Sequence, residues 1–477
     1  MEFRKMTACR AAEAVNNGET TACQLIGEIL ERCNALNGKL NTFIKIVGPE
    51  ALEQAAAVDK QVKSGQKLPL AGVPVAVKDD LCYSALPTSF GSPAFKNFIS
   101  PYSAAAVEKL TDAGAVVIGK TNLDDMGIGS TTASSPAGPA LNPWAPGRVA
   151  GSAGAAAVAA GQCLISLESD SGGALRQGAS HCGVIGLRPT MGRVSRYGLH
   201  TFASSFGQIG ITASATDDIL AALEVISGFD ARDASTALYR GMPAEINAAV
   251  EPETIKIGYP TAVFALLDPD HPNLMERARE DIEGRGFQLT DLKLDLLAEA
   301  LRAYYIIAFA EASSNLSRFD GIRFGLADYA ENLDELYHKS RRLTFGTEAR
   351  RRSIFGTFIL SQGNYDRYYR QALKIWMLVR REFTAVLDQC DLLLMPAVRT
   401  LPQFVTEQID FCRLYEEDLF CAPVSLAGLP SLCLPVGEVD QLPVGLQLVG
   451  RPFSEEMLIG AASRIIPEIK FPPNVIC

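Results

Sequence analysis

The chain has 477 residues, of which 48% are hydrophobic and 21% are charged, and its 44 basic and 54 acidic side chains give a formal charge of −10. A chain of this length can bury a large core, and its acidity argues against autonomous binding of a phosphate backbone. Eleven cysteines with no CxxC pair and four histidines predict no metal site. No apolar stretch approaches the ~20 residues of a membrane helix, and the odd cysteine count and polar start predict reduced thiols and a cytoplasmic location.

The beginning of the chain has helical spacing. Apolar residues recur at helical intervals from Leu25 to Cys33, and Thr21 is placed to cap the start of that helix. We expect residues 1–65 to form a helical segment packed on the core. Residues 66–477 are then expected to form a single domain with a helical insertion around 211–390.

Short apolar runs bounded by Gly, Pro and Asp follow from Val73 onward. They predict buried strands at 73–77, 115–118 and 163–167, with helices at 104–113 and 154–161 between them. This alternation is typical of an α/β fold in which helices cover both faces of a sheet.

Strand texture returns late in the chain, at 391–395 and 444–449. We therefore expect a single sheet that is completed by residues after the insertion.

A glycine pair follows the strand predicted at 163–167, within the run Ser169–Gln177. Two glycines allow backbone N–H groups to turn toward a common point, as an oxyanion hole requires. The alternative is a tight turn that needs glycine for its backbone conformation alone.

Two further features have both a functional and a structural interpretation. Arg148–Gly154 is a small-residue loop that opens a helix of very small residues, which permits either a catalytic loop or close helix packing. Lys78 follows the strand predicted at 73–77 and would carry an ammonium to the edge of the sheet. A lysine at a strand end is otherwise simply solvated.

The run Gly114–Thr121 satisfies the phosphate-loop pattern GxxxxGK[ST]. Its intervening residues are Ala-Val-Val-Ile, which favour a buried strand, whereas a phosphate cradle needs a loop after the strand. An ATP-dependent enzyme that uses Lys120 remains one hypothesis.

Lys78, the small-residue loop and the glycine pair together resemble the Ser-Ser-Lys machinery of the amidase-signature family. Within that family the chain resembles the A subunit of glutamyl-tRNA(Gln)/aspartyl-tRNA(Asn) amidotransferase, from about Val73 to Phe453. The runs that carry the resemblance include Gly119–Asn122, Asn142–Trp144, Gly192–Gly198, Glu311–Gly321 and Leu426–Pro430.

The resemblance implies an amidase-signature fold with a mixed central sheet, and a glutamine-sized pocket. Residue by residue, it implies a catalytic lysine at Lys78, a bridging serine near Ser152, an oxyanion hole at Ser171, Gly172 and Gly173, and binding of the α-carboxylate and α-amino group of glutamine by Arg352 and Asp418.

The sequence departs from the family where the nucleophile should stand. Ala174 follows the glycine pair in place of the family's serine. The loop before it is about three residues shorter than the family's Gly-Gly-Ser-Ser-Gly-Gly-Ser stretch, and Ser152 is the hydroxyl left near the bridging position. Removing a nucleophile that works with a base reduces turnover on the order of 10⁶-fold, so the ordinary reaction is expected to be absent.

Two substitutes for the missing hydroxyl are conceivable. Ser171 lies three residues away, which implies roughly 5–6 Å between Cβ atoms against an attack distance of ~3–3.5 Å. A water activated by Lys78 is the other route.

The resemblance thus implies a homologue of the glutaminase subunit, impaired or inactive as a hydrolase. In the family, subunits B and C are the partners, and the partner subunit handles ATP, Mg²⁺ and the tRNA, so this chain itself would need no cofactor and meet tRNA only indirectly. The alternatives are an active amidase on another small amide that uses Ser171 or Ser152, and a non-catalytic binding or scaffold subunit.

Overall fold

A computed structural model describes residues 6–239, 250–267, 272–407, 410–466 and 469–473. The helices of these residues are α1 (Ala8–Asn16), α2 (Ala22–Leu40), α3 (Pro49–Lys63), α4 (Ala105–Asp112), α5 (Ala153–Ala159), α6 (Ala174–Cys182), α7 (Thr216–Ile226), α8 (Thr261–Phe264), α9 (Pro272–Gly284), α10 (Leu297–Leu316), α11 (Leu333–Thr344), α12 (Thr347–Leu360), α13 (Arg370–Leu387), α14 (Phe411–Glu416), α15 (Ala422–Ala427) and α16 (Glu455–Ile465). No helix in this part of the chain combines the length and the apolar character needed to cross a membrane.

The strands of the described residues form one mixed sheet in the order β1-β3-β2-β4-β6-β5-β10-β11-β9-β7-β8. Their bounds are β1 (Phe43–Ile46), β2 (Pro74–Lys78), β3 (Val116–Thr121), β4 (Ile165–Asp170), β5 (Ile185–Arg188), β6 (Gln208–Ala213), β7 (Lys256–Tyr259), β8 (Gln288–Asp291), β9 (Leu392–Pro396), β10 (Ser431–Val439) and β11 (Leu442–Gly450).

The strands near the predicted site run in the same direction. β2 pairs in parallel with both β3 and β4, so the carboxyl ends of these three strands meet at one edge of the sheet. Every residue of β2, β3 and β4 is buried, which requires cover on both faces. The predicted α/β fold with a mixed sheet is confirmed.

The helical prediction for residues 1–65 is correct for α1, α2 and α3 but misses a strand. The Thr21 side chain accepts a hydrogen bond from the Gln24 N–H, as the cap prediction requires. β1, however, pairs antiparallel with β3 at the edge of the sheet. It is four residues long and half of it is exposed, so its apolar pattern is weak.

The region 211–390 is mostly helical from α7 to α13, but it also contains β7 and β8. β7 pairs in parallel with β9, which was predicted as a late strand. Four-residue strands of mixed burial give little periodicity, and this explains why they were missed. The proposed domain bounds stay a prediction.

Asp125 joins the loop that follows β3 to the start of α12. Its carboxylate is buried and accepts a hydrogen bond from the Gly346 N–H at 2.8 Å. Burial, assisted by the nearby charge of Asp124, raises the pKa of Asp125 to about 7, although the Gly346 N–H and Arg350 act to lower it.

We predict that Asp125→Asn changes the pH dependence of stability. The pKa of Asp125 rises from 3.8 to about 7 on folding, so its contribution to the free energy of unfolding is complete below pH ~4 and is lost as pH rises through 7. Asparagine keeps an acceptor and has no charge to desolvate. Thermal unfolding from pH 4 to pH 8 should show the wild type losing stability relative to the variant, by at most about 4 kcal/mol. A difference independent of pH would contradict this assignment.

Candidate active site

Lys78 ends β2 at the sheet edge where β3 and β4 also finish. Its side chain is 10% exposed, so the alternative of a solvated lysine is wrong. The ammonium donates a hydrogen bond to the Ser169 hydroxyl at 2.9 Å and lies 3.7 Å from the Asp80 carboxylate. The Ser169 hydroxyl in turn donates to Asp80. Lys78 is thus held by a serine and a carboxylate that the sequence did not single out.

The glycine pair forms the turn between β4 and α6. Gly173 has φ of 135°, in the region that favours glycine. A Cβ on Gly172 would lie 2.6 Å from the Tyr304 hydroxyl, and one on Gly173 would overlap with Cys421. Both positions therefore require glycine on steric grounds, whether or not their amides receive an oxyanion.

Asp170, the last residue of β4, holds the start of this turn in place. Two nitrogens of Arg176 donate to its carboxylate at 3.0 and 3.1 Å, and Arg188 donates to its backbone carbonyl. All three side chains are fully buried. Burial alone would raise the pKa of Asp170, but the two guanidinium groups outweigh it and hold the pKa below its usual value.

Ala174 is the first residue of α6, and its methyl group faces a cavity. The cavity is lined mostly by residues that the resemblance singled out, with glycines of the loop after β3 as a further wall; its lining includes Lys78, Ser169, Ser171, Gly172, Gly173, Ala174, Arg352 and Asp418. It measures about 350 Å³ including its opening to solvent, while the part that the centre of a water molecule can occupy is about 20 Å³. Entry of a ligand the size of an amino acid therefore requires its walls to move apart.

Arg352 enters the cavity from α12. Three adjacent arginines left the register open, and the structure resolves it because Arg350 is exposed and Arg352 is 4% exposed. Its Nε donates to Glu348 at 2.8 Å. The guanidinium carbon lies 5.0 to 5.9 Å from four aromatic ring centres, those of Phe202, Tyr305, Phe309 and Tyr415.

Asp418 lines the same cavity from the turn Glu417–Leu419. Its carboxylate accepts from the Tyr305 hydroxyl at 2.6 Å and from the Gln177 amide at 2.7 Å. Burial raises its pKa to about 6, against the effect of these hydrogen bonds and of Arg352. The cavity thus presents the cation of Arg352 and the carboxylate of Asp418 together with Lys78 and Ala174.

Ser152 does not line this cavity; it lines a smaller one beside it together with Lys78 and Ala174. Its hydroxyl donates to Glu168 and caps α5 by accepting from the Ala155 N–H at 3.3 Å. A Cβ on Gly178 would overlap with Ser152, so the shortened loop lies against the second turn of α6. The small residues serve close packing here, as the structural alternative predicts.

Glu168 is a further residue near the site that the sequence did not single out, besides Ser169 and Asp80. The predicted strand stopped at Leu167, whereas β4 continues to Asp170 and keeps Glu168 buried within it. A carboxylate that interrupts an apolar run was the available signal, since buried acids require a partner.

The phosphate-loop pattern proves to be a strand. β3 spans Val116–Thr121, and Lys120 is fully buried and donates to Leu81 and to Thr88. Its ammonium also lies 3.3 Å from Asp79. Because neither a loop nor a free ammonium is present at this position, the hypothesis of ATP binding there is wrong.

The chain is similar to known proteins over nearly its whole length. The family model for amidases matches residues 24–459. The A subunit of glutamyl-tRNA(Gln) amidotransferase from Natranaerobius thermophilus is 39% identical over 98% of this chain and 96% of its own. The crystal structure of the A subunit of glutamyl-tRNA(Gln) amidotransferase from Thermotoga maritima has a TM-score of 0.79 and 32% identity, covering 98% of this chain and 99% of that chain.

A second solved structure is described as an unexpected vestigial protein complex that reveals the evolutionary origins of an s-triazine catabolic enzyme. One chain of that structure has a TM-score of 0.85 and 27% identity to this chain, and the likeness covers 98% of this chain and all of that chain. The expected resemblance is confirmed. The chain belongs to the amidase-signature family.

Proposed function

We propose that this chain is an amidotransferase A-subunit homologue that binds glutamine, or an amino acid of that shape, without hydrolysing it. The observation that carries the proposal is the position of Ala174. It occupies the head of α6 beside the Gly172–Gly173 turn and within the same cavity as Lys78. The place for a nucleophile is therefore kept, and the side chain there has no oxygen.

The other hydroxyls near Lys78 are poorly suited to replace it. Ser152 donates its proton to Glu168, and Ser169 donates its proton to Asp80. Ser171 lines the cavity, but among the hydrogen bonds of the described residues Lys78 donates to Ser169 and not to Ser171. An active amidase that uses Ser171 or Ser152 is the less supported alternative.

Two charged residues of the cavity, Arg352 and Asp418, support amino-acid binding. Arg352 has its Nε bonded to Glu348, and the rest of its fork matches the geometry of a carboxylate. Asp418 offers a counter-charge for an ammonium group. Together they suit the two charges of an α-amino acid, and the carboxamide would then extend toward Ala174.

We predict no glutaminase turnover by the purified chain, alone or with subunits B and C. Without the nucleophile, ammonia release should fall on the order of 10⁶-fold below an intact site, which corresponds to about 8 kcal/mol of barrier. Ammonia release from glutamine is the measurement, and Lys78→Ala should leave the background unchanged. Robust turnover that Lys78→Ala abolishes would refute the proposal.

We further predict that glutamine binds and that its affinity depends on Arg352 and Asp418. Arg352→Gln and Asp418→Asn each remove one charge-assisted interaction and should weaken binding about 10- to 100-fold in calorimetry. Arg350→Gln is the matched control, because Arg350 lies two residues away and is exposed. An equal loss in the Arg350 variant, or no loss in the other two, would show that the ligand lies elsewhere.

A patch of aromatic side chains on the surface also supports an interaction with a partner protein. It consists of Phe355 and Phe358 on α12 with Tyr365 and Tyr368, where Phe355 and Phe358 are each 51% exposed and the Phe358 and Tyr368 ring centres lie 5.8 Å apart. Contiguous exposed apolar groups mark interaction surfaces more often than scattered ones. We propose that this face contacts the partner subunits B and C.

Phe358→Glu should weaken that association at least about tenfold, since a charge would be desolvated in the interface. Co-purification with subunits B and C from the same genome is the measurement. Leu52→Glu on α3 is the matched control, because Leu52 is 40% exposed on a different helix. Unchanged association of the Phe358 variant would exclude this face.

A further inference from the structure

Glu168 is a buried carboxylate placed behind the candidate site. It is 1% exposed. One carboxylate oxygen accepts from the Ser152 hydroxyl and the other accepts from the Thr212 hydroxyl at 3.1 Å. A Cβ on Gly154 would overlap with the carboxylate. The side chain of Glu168, which belongs to β4, therefore lies between β6 and the first turn of α5.

Lys78 lies on the neighbouring strand beside this carboxylate, because Val77 of β2 pairs in parallel with Leu167 of β4. Burial raises the pKa of Glu168, while the ammonium of Lys78 is the largest influence that lowers it, followed by the bonds from Ser152 and Thr212; Asp80 raises it again. Lys78 thus serves two carboxylates, Asp80 at 3.7 Å from its ammonium and Glu168 on the paired strand. Because a buried charge needs a partner, the positive charge of Lys78 stabilises these two buried carboxylates.

The Ser152 hydroxyl is engaged as well. In a Ser-Ser-Lys relay, the bridging hydroxyl must take a proton from the nucleophile and pass one to a neutral lysine. Here its one proton points to Glu168, and Ser152 packs against Gly178, four residues beyond Ala174. The relay is interrupted at a point that the identity of residue 174 does not affect.

We propose that Glu168 is a second and independent block on hydrolysis. It holds the hydroxyl of Ser152 and takes up the positive charge of Lys78, so that a serine returned to position 174 stays unreactive until the carboxylate is removed. This inference rests on the proposed loss of hydrolysis and adds a positioning residue that acts through Ser152 and Lys78.

Labelling by a fluorophosphonate, followed by mass spectrometry, tests the proposal. Ala174→Ser alone should be labelled slowly, while Ala174→Ser with Glu168→Ala should be labelled roughly 100-fold faster, within the range of a restored general base. Glu168→Gln keeps the size of the side chain and serves where alanine destabilises the fold. The gain should disappear on adding Lys78→Ala, and the rate of the double variant should rise with pH.

Ala174→Ser with Thr212→Val is the matched control, because it removes the other hydroxyl on Glu168 and keeps the carboxylate. It should label as slowly as Ala174→Ser. Fast labelling of Ala174→Ser itself, or no gain from either Glu168 substitution, would overturn the second block. Failure of the proposed function is a separate result, since it would appear as ammonia release by the unsubstituted chain.

Discussion

The geometry of the site depends on the buried ion pairs of Asp170. Arg176 and Arg188 converge on this residue at the end of β4, and removing one partner of a buried pair typically destabilises a protein by about 3–5 kcal/mol. The pairs fix the exit of the strand, so the next residues must turn between Tyr304 and Cys421, where side chains would collide. The start of α6 is thereby held in place, whatever residue stands there.

Under the proposed function, this separation explains how the chain keeps its fold without the oxygen atom that hydrolysis needs at position 174. The amides of Gly172 and Gly173, the cation of Arg352 and the carboxylate of Asp418 are all positioned by packing and hydrogen bonds that do not involve residue 174. A serine hydroxyl at that position contributes to catalysis and little to stability. Alanine at that position still forms part of the cavity wall.

The sequence predicted the elements whose signal is local. β2 and β4 were found from their apolar runs, and the start of α2 was found from Thr21, because burial on both faces and a cap each leave a short pattern. β1, β7 and β8 were missed because four residues of mixed burial carry little periodicity, and β5, β6 and β10 were not predicted either. They are strands because their neighbours in the sheet pair with them.

Residues of the candidate site were predicted where a local motif contains them. They were not predicted where residues far apart in the sequence meet in space. Lys78, Ala174 and the glycine pair were identified from the motif. The choice of Arg352 over its two neighbours depends on packing against α10 and the loop near Phe202, which sequence cannot show. Glu168 could not be recognised as a partner of Lys78, since 90 residues separate them and only the parallel pairing of β2 with β4 brings them together.

A crystal structure of the chain soaked with glutamine would show directly whether the ligand binds without being cleaved. We expect intact glutamine, with its α-carboxylate on Arg352, its ammonium on Asp418 and its carboxamide against the methyl group of Ala174. An ester bond from the ligand to Ser152, Ser169 or Ser171 would contradict it.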